Sequence, residues 1–253
     1  MLLPPEAFTH VPALAGKILE PEKSYFRLSH ARLAELDRVA RQNGYPENWR
    51  LSDEAREANR TTVLHGRNDA DLWVFAYGSL MWDPAVRIAE IRTAALEGFH
   101  RRFCLKIEIG RGSADKPALM AGLDHGGICR GLAFRIPAAH VDQETELLWM
   151  REMLAGSYVP TFLPVETPQG SVEALTFVIN RDSHRYVQLE IDETARLIAT
   201  GRGVRGTSLE YLENVAERLE LLGLGDPELN ELRRRVRQLL EPSTSPDVGA
   251  PSP

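Results

Sequence analysis

A short apolar run, Leu72 to Tyr77, restricts the fold of this chain more than any other stretch. Its six residues are apolar, aromatic or β-branched, and the run is too short for a helix, so it predicts a buried β-strand. Gly78 and Ser79 end the run abruptly. Glycine tolerates backbone dihedrals that a Cβ forbids, and successive N–H groups at the end of a rigid strand can hold an anion or a developing oxyanion. The alternative is an ordinary strand with a glycine turn.

The region from residue 72 to residue 180 has mostly β-strand patterns. Apolar residues at 103, 105, 107 and 109 alternate with Cys104, Lys106 and Glu108, which is typical of a half-buried strand. Two predicted hairpins follow: strands 118–123 and 128–136 around a turn at 124–127, and strands 159–167 and 172–179 around a turn at 168–170. Many short strands with turn signals favour a closed or nearly closed antiparallel sheet.

One predicted helix interrupts these strands, capped by Asp142, ending near Ala155 and stopped by Gly156. Its apolar side chains spread around nearly the whole circumference, so we expect the helix to be buried. Arg151 and Glu152 are then charges within an apolar element. A buried carboxylate is costly unless it is paired, and desolvation raises its pKa. The sequence leaves open whether Glu152 has a chemical role, forms an internal ion pair or reaches solvent at the helix end.

Residues 1–70 carry weaker patterns. A helix capped by Ser29 is predicted to end near Asn43, and a second helix is predicted to begin at Ser52. Residues 61–70 are polar and are predicted to be a linker. We interpret residues 1–70 as an N-terminal helical arm that packs on the main domain, with a role that the sequence does not reveal.

After residue 180 the pattern is helical again. The predicted starts of three helices are Asp192, a capping box of Thr207 and Glu210, and Asp226 before Pro227. The last helix is expected to bury one apolar stripe, formed by Leu229, Leu232, Val236 and Leu239. We therefore divide the chain into the arm (1–70), a main domain (71–241) and a disordered tail (242–253) that is rich in Pro and Ser.

Composition excludes several functional classes. A net charge of -6 argues against nucleic acid as a general partner, and no apolar run approaches the ~20 residues of a membrane span. The N-terminus lacks the pattern of a signal peptide, so we expect a cytoplasmic protein. Cys104 and Cys129 lack Cys-x-x-Cys spacing, and the seven histidines show no metal-ligand spacing. Cys104 is interpreted as a small packing residue, with a nucleophilic role left open.

Residues 201–206 match the pattern G-x-G-x-x-G letter for letter. The dinucleotide fingerprint requires a preceding strand within a βαβ unit. Here a predicted helix precedes it, so we interpret this segment as a packing turn.

Six blocks together resemble the ChaC-like branch of the γ-glutamylcyclotransferases. They occur in the family's order and cover roughly Leu72 to Leu240: Trp73–Trp82 with its Tyr-Gly-Ser-Leu loop, Gly98–Cys104, Gly131–Ile136, Trp149–Met153, Tyr158 and Gly206–Leu212. The resemblance implies an α+β fold, with a mixed, mostly antiparallel β-barrel and flanking helices, and no cofactor. It implies glutathione as the substrate, released as 5-oxoproline and cysteinylglycine.

In that family the glutamate of the Arg-Glu pair is the catalytic acid/base, which corresponds to Glu152 here. The α-amine of the substrate attacks the γ-carbonyl of the same molecule. Holding the substrate in the bent conformation that brings these two groups together therefore supplies much of the rate acceleration. The expected substrate-binding residues are Tyr77, Gly78, Ser79, Leu80 and Tyr158. The amides of residues 78–80 are suited to hold either the substrate carboxylate or the oxyanion.

Two departures from the family pattern concern the choice of substrate rather than the type of reaction. Ala76 stands where the family usually has glycine, and residues 111–118 differ from the usual loop. A cyclotransferase for other γ-glutamyl amines or amino acids, or a non-catalytic sensor of a γ-glutamyl metabolite, therefore stays open. The sequence does not indicate the oligomeric state.

Overall fold

The computed structural model describes residues 3–42, 44–67 and 69–241. Two helices precede the sheet, and the elements follow in chain order: α1 (His30–Gln42), α2 (Asp53–Val63), β1 (Leu72–Ala76), β2 (Glu90–Ile107), β3 (Ala118–Ile136), α3 (Val141–Glu152), β4 (Tyr158–Val165), β5 (Val172–Ile179), α4 (Ile191–Thr200), β6 (Arg202–Gly203), β7 (Gly206–Thr207), α5 (Ser208–Leu221) and α6 (Pro227–Leu240). The predicted disordered tail, 242–253, lies outside the described residues, and so does Asn43.

Five strands form one curled sheet in the order β2-β3-β1-β5-β4. The β2–β3, β3–β1 and β5–β4 pairs are antiparallel, while β1 and β5 are parallel. Where β2 and the end of β4 approach each other, Ala95 and Glu166 form one isolated antiparallel bridge. β2 and β4 share no further pairing among the described residues, so the sheet is an open half-barrel. The predicted α+β fold with a mixed, mostly antiparallel barrel is confirmed in this open form.

The predicted hairpin turn at 124–127 is wrong. β3 is continuous through these residues and stays paired with β2 along almost its whole length. Gly126 and Gly127 have φ of 111° and 68°, and they lie opposite a register shift between Glu97 and Phe99. The two glycines therefore belong to a β-bulge, where a positive φ absorbs an extra residue without ending the strand.

The predicted alternation of buried and exposed residues also fails near Cys104. Phe103, Cys104 and Leu105 are all buried. A second register shift between Phe103 and Leu105 interrupts the period-2 pattern. Cys104 therefore packs in a small apolar cluster with Leu105 and Ile179.

Four of the predicted helix starts are confirmed by side-chain hydrogen bonds. Ser29, directly before α1, accepts the N–H of Arg32 at 3.2 Å. Ser52 accepts the N–H of Ala55 at 3.1 Å, and Asp226 accepts the N–H of Leu229 at 3.0 Å. Thr207 and Glu210 form the complete capping box at the start of α5. In each case the cap and its acceptor or donor are three residues apart, so the sequence alone contains the signal.

Two other predicted starts, and one linker, are wrong. α3 begins after His140 rather than Asp142, and α4 begins after Glu190 rather than Asp192. Both aspartates lie within the first turn, where an acidic side chain is favoured by the helix dipole without being the cap. α2 extends to Val63, so the first part of the predicted linker at 61–70 is helical.

The hydrophobic core contains residues of the arm as well as of the main domain. Buried side chains of the arm join the cluster that fills the half-barrel, and they are Ala7, Phe8, Val11, Leu14, Ile18 and Leu64. α6 buries Leu229, Leu232 and Val236 as expected, but Leu239 is 51% exposed, so the predicted stripe is wrong at its last position. None of the helices in the described part of the chain combines the length and apolar character that crossing a membrane requires.

Candidate active site

The loop after β1 is held against α5. Beyond β1, Ser79–Met81 form one turn of 3-10 helix, whose first N–H groups have no acceptor within the turn. Gly78 has φ -132°, so positive φ does not explain this glycine. The explanation is a close approach, because a Cβ at residue 78 would lie 2.6 Å from Oη of Tyr211.

The buried side chain of Arg101 holds the start of this loop through a hydrogen bond to the backbone of Tyr77. The Arg101 side chain is only 1% exposed. Nε donates to the carbonyl of Tyr77 at 2.6 Å, Nη2 donates to the carbonyl of Arg130 at 2.6 Å, and Nη1 pairs with Asp226. The loop, β3 and the N-terminus of α6 are thus joined by one buried guanidinium. Arg101 belongs to the Gly98–Cys104 block, to which the sequence assigned no role.

Glu152 is the last residue of α3, and its side chain is 14% exposed. Nε of Arg151 lies 2.8 Å from Oε1 of Glu152. The same guanidinium donates from Nη2 to Oγ of Ser79 at 2.8 Å and from Nη1 to the carbonyl of Asp83. The internal ion pair that the sequence left open therefore exists, and it also ties the glutamate to the loop after β1.

Burial raises the pKa of Glu152 above its usual value, although Arg151 opposes the rise. Burial, followed by the charge of Glu152, also raises the pKa of Tyr158 well above 10 and that of Tyr211 to about 12. Burial raises the pKa of Tyr77 in the same direction. These hydroxyls remain protonated at neutral pH, and they lie near enough to Glu152 to be influenced by its charge.

The predicted site residues differ in what they expose to a ligand. Gly78 and Ser79 lie at the loop that Arg151 connects to Glu152, and Tyr158 is the first residue of β4. The hydroxyl of Tyr77 already donates to the carbonyl of Phe177 at 2.8 Å. The side chain of Leu80 is buried in the main core, which leaves its backbone amide for binding.

Tyr211 and Phe26 are two neighbours of the site that the sequence did not reveal. The ring of Tyr211 makes edge contacts with Trp82 and Phe103 at centroid distances of 5.6 and 5.9 Å. The sequence could have indicated Tyr211, because the capping box formed by Thr207 and Glu210 places this residue near the start of α5. Phe26 belongs to the arm, and Cζ of Arg151 lies 4.5 Å from its ring centroid. Nothing in its local sequence indicates that contact.

The two cysteines are unpaired and buried. Burial raises the pKa of Cys104 to about 12 and that of Cys129 to about 11. A reactive cysteine needs the opposite shift, because the thiolate is the nucleophile. The geometry therefore favours a packing role for Cys104.

Substituting Gly78 with alanine is expected to reduce the free energy of unfolding by about 1–3 kcal/mol, as overpacking usually does. The new Cβ would meet Oη of Tyr211, whose ring is held in place by its aromatic neighbours. Cζ of Tyr211 would lie 3.8 Å away, which is an ordinary contact. Gly78→Ala should therefore cost almost nothing in a Tyr211→Phe background, as a double-mutant cycle of urea unfolding would measure. An equal penalty in both backgrounds would exclude the hydroxyl as the cause.

Comparison with known proteins gives a consistent result for this chain. Residues 72–239 match the family described as ChaC-like protein. A glutathione-specific γ-glutamylcyclotransferase of Escherichia coli (strain K12) is 40% identical over 195 residues, covering 75% of this chain and 83% of that protein. The human glutathione-specific γ-glutamylcyclotransferase 1 is 33% identical over 62% of this chain and 75% of its own length.

The fold is also similar to a solved structure. The crystal structure of a γ-glutamyl cyclotransferase specific to glutathione from yeast aligns with a TM-score of 0.62 and 22% identity. The alignment covers 67% of this chain and 96% of the yeast chain. The curled sheet with its flanking helices therefore recurs in a chain of different sequence.

Proposed function

Because this chain belongs to the ChaC-like family, we propose that it is a γ-glutamylcyclotransferase that converts glutathione to 5-oxoproline and cysteinylglycine. The observation that carries the proposal is the position of Glu152. A mostly buried carboxylate with a raised pKa is tied through one guanidinium to the loop Tyr77–Leu80. A carboxylate in such surroundings is suited to exchange protons at neutral pH.

The proposed reaction proceeds within one substrate molecule. Glu152 accepts a proton from the α-ammonium group, and the free amine attacks the γ-carbonyl carbon to close a five-membered ring. The bond from that carbon to the cysteine nitrogen then breaks as Glu152 returns its proton to that nitrogen. The ring nitrogen gives up its second proton through the same carboxylate, so the ring closes as a neutral lactam and the cysteine amine leaves as an ammonium group. Ring closure needs no covalent enzyme intermediate, because nucleophile and electrophile are already joined.

The loop after β1 supplies hydrogen-bond donors in this proposal. The amides of Ser79 and Leu80 begin a 3-10 turn, and they hold either the substrate carboxylate or the tetrahedral oxyanion. The hydroxyls of Tyr158 and Tyr211 stay protonated and serve as further donors. Arg151 positions Glu152 through their ion pair and keeps the loop at a constant distance from it.

The direct test is to incubate the purified protein with glutathione and measure 5-oxoproline and cysteinylglycine by mass spectrometry. A panel of γ-glutamyl amines and γ-glutamyl amino acids tests the alternative cyclotransferases in the same assay. We expect equimolar products from glutathione and slower turnover of the panel. Binding of glutathione without any 5-oxoproline would overturn the proposal in favour of a sensor.

The raised pKa of Glu152 predicts the pH dependence of both activity and stability. The rate should decline on the acidic side through a pKa above 4.5, the usual value for glutamate, because protonated Glu152 cannot act as the base. A raised carboxyl pKa means that the folded state binds the proton more tightly than the unfolded state, so stability is lost as pH rises through that window. Unfolding of the wild type and Glu152→Gln across this pH range should therefore show the variant gaining relative stability with rising pH. A constant difference would contradict the assignment.

We also propose a cytoplasmic location and a division into the arm (1–70), the main domain (71–241) and the tail (242–253). Unpaired cysteines are typical of a reducing compartment, which supports the location. Phe26, a residue of the arm, contacts the guanidinium of Arg151, and this contact supports a role for residues 1–70 next to the site.

A further inference from the structure

Two glycine-containing turns interlock beside the candidate site. A Cβ at Gly203 would lie 2.2 Å from the carbonyl oxygen of Gly110 and 2.4 Å from that of Gly112. The N–H of Arg205 donates to the carbonyl of Gly110 at 2.8 Å. The G-x-G-x-x-G segment thus packs against the loop after β2, and the contact brings Arg111 and Arg205 onto neighbouring turns.

Arg205 lies against aromatic residues of the arm. Its Cζ is 3.7 Å from the ring centroid of Tyr25 and 5.4 Å from that of Phe26. The guanidinium of Arg151, the ion-pair partner of Glu152, contacts the same Phe26 ring at 4.5 Å. One aromatic ring therefore lies near both the catalytic ion pair and Arg205.

Arg111 lies near a different aromatic residue of the site, Tyr211. Its Cζ lies 5.8 Å from the ring centroid of Tyr211, whose hydroxyl abuts Gly78. Nη1 of Arg111 donates to the carbonyl of Thr207 at 3.2 Å. Both arginines thus lie near aromatic side chains that contact the loop or the ion-pair partner of Glu152.

The positive charge of these arginines is poorly compensated. No carboxylate oxygen of the described residues lies within 4.0 Å of the Arg205 guanidinium, which is half-buried. The carboxylate of Glu210 is 3.8 Å from Arg111, but it is 61% exposed and already accepts the N–H of Thr207. Burial lowers the pKa of Arg205, yet arginine stays protonated at neutral pH. The Tyr25 and Phe26 rings offset only part of the cost of desolvating this cation, so an anion that reached the guanidinium would be bound favourably.

We propose that Arg205, assisted by Arg111, binds the glycyl carboxylate of glutathione and so selects substrates whose leaving group ends in a carboxylate. The inference rests on the proposed function. The cysteinylglycine part spans about 7 Å when extended. Cζ of Arg151 and Cζ of Arg205 lie 4.5 Å and 5.4 Å from the same Phe26 ring, so the distance between the two guanidinium groups is of that order. The guanidinium of Arg205 presents several donors in a planar fork that matches a carboxylate.

The test compares glutathione with its glycyl monoethyl ester, which lacks only that carboxylate charge. Arg205→Ala should lower kcat/KM for glutathione about 10- to 100-fold, mainly through KM, as expected for loss of a charge-assisted hydrogen bond. It should change kcat/KM for the ester less than about threefold. Arg202→Ala removes the same charge from an exposed position of the same hairpin, and it should leave both substrates unchanged.

The ratio of the two substrates within one variant does not depend on the folded fraction, so partial destabilisation cannot imitate the result. Arg205→Lys, which keeps the charge but loses the fork, should retain part of the preference. Equal losses for glutathione and ester, or an unchanged preference in Arg205→Ala, would overturn the inference.

A binding measurement separates this inference from the proposed function. In a Glu152→Gln background, calorimetry with glutathione and the ester should show a preference for the free carboxylate that disappears on adding Arg205→Ala. Absence of 5-oxoproline from the wild type would refute the proposed function alone, while an Arg205-independent preference in calorimetry would refute the carboxylate site alone.

Discussion

Replacing Glu152 with glutamine is expected to lower kcat for glutathione by about 10²–10⁴-fold, the usual contribution of a general acid/base. Glutamine has the shape of glutamate but cannot take the proton of the substrate ammonium. Its amide oxygen can still accept from Nε of Arg151, so the link from Arg151 to Ser79 should persist. Release of 5-oxoproline at saturating glutathione measures kcat, and circular dichroism and thermal melting check the fold.

A matched control lies on the same helix. Glu146 is an exposed carboxylate of α3 that contacts His30 at 3.1 Å. Glu146→Gln makes the same chemical change and should leave kcat unchanged. Activity of Glu152→Gln within a few-fold of the wild type would remove Glu152 from the mechanism.

Replacing Arg27 with alanine is expected to reduce the free energy of unfolding by about 3–5 kcal/mol, the usual cost of removing one partner from a buried pair. Arg27 of the arm makes a bidentate contact with Glu144 of α3, at 2.7 and 3.0 Å. The side chain of Glu144 is 0% exposed. The N–H of Arg87 also donates to it at 3.1 Å, and Nη1 of Arg87 lies 3.6 Å from its Oε1, but this longer contact does not replace the bidentate one. The loss is large against a typical total of about 5–15 kcal/mol, and urea unfolding would measure it.

Two further variants distinguish an uncompensated charge from general damage. The double variant Arg27→Met and Glu144→Leu should recover most of the lost stability, because replacing both members of a buried pair by apolar side chains is often neutral. The guanidinium of Arg87, which also contacts Glu144, keeps its hydrogen bond to Gln143. Arg38→Ala breaks an exposed pair with Glu35 on the same arm, and it should cost less than about 1 kcal/mol. A double variant no more stable than Arg27→Ala would show that the charge is not the cause.

The Arg27 prediction also bears on the site, because Arg27 is the residue after Phe26. Without the contact between Arg27 and Glu144, the segment that contains Phe26 would no longer be held against Arg151. We therefore expect Arg27→Ala to raise KM for glutathione under conditions where the protein stays folded. Unchanged KM in the folded variant would show that this segment does not border the substrate.

Local signals in the sequence were sufficient for much of the secondary structure. The buried run at 72–76 became β1, and the caps Ser52, Thr207 and Asp226 were confirmed. These features depend on residues within one turn or one short strand of each other. Interactions of that kind are the same wherever the segment lies in the fold, so the sequence determines them directly.

The tertiary structure decided features whose local signals allow two outcomes. Gly126 and Gly127 are compatible with a hairpin turn or with a bulge, and only the pairing of β3 with β2 selected the bulge. Asp142 and Asp192 are favourable either as the cap or inside the first turn, so their local signal did not distinguish the two possible helix starts.

The candidate site shows the same division. The sequence, through the ChaC-like resemblance and the apolar helix, indicated Glu152 and the loop Tyr77–Leu80. It did not indicate that Arg151 would join them across 72 residues, or that Arg27 would neutralise Glu144 across 117 residues. The energy of a buried charge depends on what desolvates it and what pairs with it. The partner of Glu144 comes from a segment 117 residues away. The partner of Glu152 is its neighbour Arg151, and only the folded protein supplies the burial of that pair and its link to Ser79.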